Sequence, residues 1–210
     1  MRRSEHRGDG GFTLLEVLVV LAILSIIAGS LTPMVTRQVE RARERRVTED
    51  LAAIASALED YFFENARFPA DLSDATFVSA FASGSLRDPW GQAYTYEKNK
   101  TGLSVTIGTF GSPAVRRKDP VQERVVTSSR VGRIRTRQRL ETIQVALNRF
   151  LQGGGVLSGD WTGADRAALG LGGELDDDGW GRPFRSDALT SSVTSQGFDG
   201  KSGTADDMGF

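Results

Sequence analysis

The stretch that constrains this chain most is residues 12–32, FTLLEVLVVLAILSIIAGSLT, in which Glu16 is the only charged residue. Wound as a helix, a run of this length is roughly 30 Å long, the thickness of a bilayer's hydrocarbon core. A secretory signal peptide has a shorter apolar region closed by a small-residue cleavage site. Here the apolar run passes straight into a charged helical pattern, which favours retention. A buried helix of a soluble core is the other alternative, against which the length of the run argues. Glu16 then needs a reason, because an ionised carboxylate at membrane depth costs about 3 kcal/mol. Charge does not orient the span: Arg2, Arg3 and Arg7 precede it, and Arg37, Arg41, Arg43, Arg45 and Arg46 follow it.

Beyond the apolar run the periodicity stays helical. Val47, Leu51, Ile54, Ala55, Leu58 and Phe62 fall on one stripe, which predicts a helix from near Phe12 to about Asn65, loosened at Thr32–Pro33. Pro69 marks the loop that ends it. The turn signal DPWG and the alternating stretches AYTYE and LSVTIGT follow, as strands of a small antiparallel sheet.

The net charge of −1 gives no reason to expect a nucleic-acid partner. There is no cysteine, and the one histidine, His6, lies in the first few residues, so thiol and imidazole chemistry in a folded domain is not expected. No nucleophile–base set replaces them, and an enzyme is not the expected reading.

The segment GGFTLLEVLVVLAIL resembles the prepilin N-terminal signature shared by type IV pilins and type II secretion pseudopilins. That resemblance implies a cytoplasmic leader, residues 1–11, cut after Gly11 by a prepilin peptidase that methylates the new first residue, Phe12. It implies a transmembrane and filament-core helix over residues 12–35, in which Glu16 pairs with an N-terminal amine during assembly and Pro33 sits where many relatives kink. The alternative is a Glu16 that snorkels to water without a partner. RDPWGQAYTYE and NARFPADLSD resemble the major pseudopilin. The expected fold class is α+β: a long N-terminal α-helix, part membrane-spanning and part amphipathic, carrying a small antiparallel β-sheet head, then a second pilin-like α+β head.

The second head is read from an internal repeat. LAAIASALEDYF at 51–62 matches LETIQVALNRFL at 140–151, Trp90-Gly91 matches Trp180-Gly181, and Ser104-Val105-Thr106 matches Ser192-Val193-Thr194. Three elements in order at near-constant spacing suggest a duplicated head, the alternative being one large head with an irregular extension. The expected heads are residues 36–115 and 116–210, with the seam near Pro113 and Pro120 and a second helix over about 121–152, striped by Leu140, Ile143, Leu147, Phe150 and Leu151.

The chain closes on SQGFDGKSGTADDMGF. Major pseudopilins end in a similar loop that binds calcium, and Asp199 and Asp206 match its ligand positions. Calcium takes six to eight oxygens; Asp207, Thr204 and the carbonyl of Gln196 are the further candidates, and a solvated loop without an ion is the alternative. Aligning Phe198 with Phe110 sets Gly111 opposite Asp199 and leaves the first head without these acids, so Ca2+ is expected in the second head only. DDDGWG at 176–181 reads as a turn with solvated carboxylates. SQGFDGKS brushes against a phosphate-binding loop, but Ser195 stands at its first glycine and no helix follows.

The function this implies is a structural subunit of a pseudopilin or type IV pilin-like filament, with type II secretion as its expected machine. Its expected setting is single-pass in the inner membrane with periplasmic heads. Its expected partners are other pilin-like subunits, the prepilin peptidase, an inner-membrane assembly platform and membrane lipid. A minor pilin for motility, adhesion or DNA uptake is the alternative within the family; a membrane-anchored binding module that never polymerises is the alternative outside it.

Overall fold

The structure is a computed structural model and describes residues 13–81 and 86–210. Helix α1 runs over Leu14–Asn65 and is helical through Pro33, where the sequence predicts loosening. The chain divides into two compact units, residues 1–46 and residues 47–210.

In the first unit the described apolar side chains, from Leu14 to Ile27, are exposed. The side chains of residues 28–33 lie outside the described set. Among the described residues no helix is long and apolar enough to cross a membrane. Glu40 and Arg43 form an ion pair at 2.8 Å one turn apart.

In the second unit the C-terminal part of α1 supplies one wall of a core. All six predicted stripe positions, Val47, Leu51, Ile54, Ala55, Leu58 and Phe62, are buried. They pack with Phe68, Phe77, Tyr94, Val105, Ile107 and Val126. Helix α2, Ala75–Ala80, is capped by the Asp74 carboxylate, which accepts from the Thr76 and Phe77 N–H groups. Strands β1 (Thr95–Lys98), β2 (Ser104–Thr109) and β3 (Gln122–Thr127) form an antiparallel sheet in that order.

Strand β3 corrects the expected second helix. Residues 122–127 pair along the whole of β2, from Ser104↔Thr127 to Thr109↔Gln122, so the first sheet continues well past residue 115. Two β-branched valines and a threonine, Val125-Val126-Thr127, suit a strand, and Val126 enters the core. Helix α3 starts only at Ser129 and ends at Gln152. Its Leu140, Ile143 and Leu147 are buried as predicted, with Phe150 and Leu151 packed at the margin.

The second sheet is β4 (Arg185–Asp187), β5 (Ser192–Ser195) and β6 (Met208–Gly209), again antiparallel and in chain order. Its core joins α3 to Leu157, Trp161, Leu175, Phe184 and Val193. The architecture is α+β, with a long N-terminal helix and two small three-stranded sheets.

The ladders also correct the strand alignment. Tyr96 faces Ile107 and Ser186 faces Val193. Since Tyr96 and Ser186 stand at matching places after their WG turns, Ile107 corresponds to Val193, not Val105. The SVT identity is displaced by two residues, a slip that keeps the inward face inward and is therefore invisible to a hydrophobic pattern. Gly111 then corresponds to Gly197, not Asp199.

Candidate functional site

Two places carry the residues singled out from sequence. The first is the start of α1. Glu16 sits in its first turn, and its N–H reaches the carbonyl and the hydroxyl of Thr13 at 3.1 and 3.3 Å. Thr13 thus satisfies one of the donors that a helix leaves open at its N-terminus. Glu16 is exposed. Gly11 and Phe12 lie outside the described residues, and the side chain of Pro33 does too.

The second place is the loop 196–207 between β5 and β6, built on a network that occurs twice in the chain. Asp178 is fully buried; its carboxylate accepts from the Trp180 N–H (2.9 Å), the Arg182 N–H (3.0 Å) and the Ser195 hydroxyl (2.6 Å). Ser195 Oγ in turn accepts from the Gly197 N–H. In the first half Asp88 accepts from the Trp90 and Gln92 N–H groups and the Thr109 hydroxyl, and Thr109 Oγ1 accepts from the Gly111 N–H. The solvated carboxylate expected at Asp178 is therefore wrong. A buried carboxylate persists because each of its contacts is a charge-assisted hydrogen bond. Sequence reasoning missed both aspartates; the signal was the shared Asp-x-Trp-Gly spacing.

The network delivers the chain to the acidic loop in a fixed pose. Gly197 has φ +65°, and a Cβ there would stand 2.2 Å from the Asp206 carbonyl oxygen, so only glycine admits this approach. Four oxygens surround the Thr204 hydroxyl: Asp206 Oδ1 at 2.7 Å, the Lys201 carbonyl at 3.2 Å, and Asp199 Oδ1 and Asp207 Oδ1 at 3.3 Å. One hydroxyl has one proton to donate. The structure therefore brings together Asp199, Thr204, Asp206 and Asp207 as the sequence proposed. The Gln196 side chain donates to the Ser202 hydroxyl at 2.9 Å, which leaves its backbone carbonyl, the atom singled out from sequence, untouched by that bond.

Other donors hold the carboxylates in place. Asp199 Oδ1 accepts from the Lys201 N–H, Asp206 Oδ2 from the Asp199 N–H, and Asp207 Oδ2 from the Gly203 N–H. The Thr204 hydroxyl, then the Asp199 N–H, holds the Asp206 carboxyl below its ordinary value, so it is ionised at neutral pH. Among the described residues no group of three or more His, Cys, Asp or Glu side chains is placed to hold a metal ion. An all-oxygen set completed by backbone carbonyls suits a hard cation such as calcium.

The matching loop of the first half, residues 110–121, is bracketed by the same strand pairs and has the same length. It carries Arg116, Arg117 and Lys118, with Pro113 and Pro120 where the second loop has Asp199 and Asp206.

Comparison with known proteins bears on both places. The prokaryotic N-terminal methylation motif matches residues 6–32. Type II secretion system core protein G of Aeromonas hydrophila is 32% identical over 105 residues, which span 43% of this chain and 73% of that protein. The protein of the same name from Klebsiella pneumoniae is 34% identical over 99 residues, 40% of this chain and 71% of that protein. For the one from Klebsiella michiganensis the values are 39% over 69 residues, 33% and 46%, so there the chain spans under half of its relative. No solved structure matches.

Proposed function

Because this chain belongs to the family of type II secretion system core protein G, we propose that it works by self-association, as a pseudopilin whose N-terminal helices bundle and whose heads pave the filament. It is a structural subunit, and its partners are other pilin-like subunits. Before assembly the apolar run holds it in the inner membrane, single-pass, with its heads in the periplasm. Prepilin peptidase cuts after Gly11 and methylates Phe12. Glu16 then meets the ammonium of a neighbouring copy, which compensates a carboxylate that would be costly alone in lipid.

The observation that carries this reading is the methylation motif at residues 6–32, together with the position of Glu16 in the first turn of an exposed apolar helix. Mass spectrometry of the native chain tests it. The expected species begins at a methylated Phe12; an intact Met1 on the membrane-inserted protein contradicts processing.

The two halves descend, in this reading, from one duplicated head. The support is the twofold occurrence of the aspartate network and of sheets with matching register. Calcium binds the loop 196–207, held by Asp199, Asp206 and Asp207 with Thr204 and backbone carbonyls, where it would supply the positive charge that the crowded oxygens lack. Loop 110–121, with its cations and prolines, does not take it.

A further inference from the structure

In the second unit two helices carry charge of opposite sign. From Val47 to Asn65, α1 has acids but no lysine or arginine. Helix α3 has six arginines and one acid. Glu49, Asp60 and Glu64 are exposed and lie on one face of α1; Arg130, Arg133 and Arg137 are exposed and lie on one face of α3. None of these six side chains makes a hydrogen bond or an ion pair among the described residues. The buried stripes of the two helices match, so packing within a head does not dictate the opposite signs outside.

We propose that the Arg130–Arg133–Arg137 face of one copy docks on the Glu49–Asp60–Glu64 face of the next, and that this pairing sets how heads follow one another along the filament. This inference rests on the self-association proposed above. Asp60 and Glu64 stand four residues apart, as do Arg133 and Arg137, about 6 Å along each helix axis. Two helices laid side by side therefore bring both pairs together in one register.

The occupant is a second copy because this same chain carries the complementary face. A contact between two different faces is heterologous, and repeated without closing it gives an open filament rather than a dimer. Exposed ion pairs add little affinity. Their effect is on register and partner choice, since like charges brought face to face oppose the wrong arrangement.

The test is filament yield from full chains with reversed faces. Arg133→Glu with Arg137→Glu in one chain, and Asp60→Lys with Glu64→Lys in another, should each lower yield at least about tenfold when expressed alone. Both chains should melt within about 3 °C of wild type, as surface exchanges do; if either melts lower, Arg137→Glu and Glu64→Lys, one exchange per face, repeat the comparison. Co-expressing the two reversed chains should return yield to within about threefold of wild type, because each then meets an opposite face on the other. Mixing repairs neither a folding defect nor a lost contact within one chain. Wild-type yield from either reversed chain alone, or no recovery in the mixture, overturns the inference and leaves the filament reading standing. No filament from wild type contradicts that reading, and the inference with it.

Discussion

The hydroxyl of Ser195 donates to the buried carboxylate of Asp178 at 2.6 Å, and this bond joins the tip of the second sheet to the turn before it. Replacing Asp178 by alanine leaves two backbone N–H groups and this hydroxyl without their acceptor in a site closed to water. A loss of about 3 kcal/mol is expected in urea unfolding, with a similar loss for Asp88→Ala. A change under about 1 kcal/mol in either would show that the buried carboxylate is not what holds the turn.

Trp180 belongs to the core of the first half although it lies in the second, and its indole N–H reaches the Ser128 carbonyl at 3.3 Å. A Cβ on Gly132 would stand 2.2 Å from the indole nitrogen, and one on Gly179 would stand 1.9 Å from the Gly132 carbonyl. Gly132→Ala is expected to cost about 3 kcal/mol by overpacking. Tryptophan fluorescence and far-ultraviolet circular dichroism should report one shared transition for residues 47–210; two separated transitions would mean that the halves fold independently.

Asp165 gives the acid limb of stability. Burial works to raise its carboxyl, but the Ser186 hydroxyl, the Ser158 N–H and hydroxyl and the Gly159 N–H outweigh burial and hold it below the ordinary value. A carboxyl depressed in the folded state contributes stability above its unfolded pKa, about 4, and loses it as pH falls through the folded value. Unfolding free energy should fall below about pH 4 in wild type. In Asp165→Asn it should start lower and fall less steeply over the same range.

For the acidic loop, calcium should raise the melting temperature of the full chain, and Asp199→Ala or Asp206→Ala should remove the rise. An equal rise in wild type and both variants would place the ion elsewhere.

Much of this fold was legible because burial follows helical periodicity: the stripe from Val47 to Phe62 and that from Leu140 to Leu147 are buried where the spacing puts them. Strand β3 was not, because Gln122–Thr127 lies between a proline and an arginine-rich helix, and its strand character depends on pairing with β2. The register of β5 was misread because a two-residue slip preserves the inward face. The calcium candidates came together around Thr204, yet Arg182 escaped notice. An arginine after a WG turn has no meaning until the chain returns and places two carbonyls against it.

Glu16 carries the central claim, and assembly of a Glu16→Leu chain measures it most directly. The account expects the variant to insert in the membrane and be cleaved after Gly11, yet to form at least about tenfold less filament than wild type. Filaments of that variant growing at wild-type yield would contradict it.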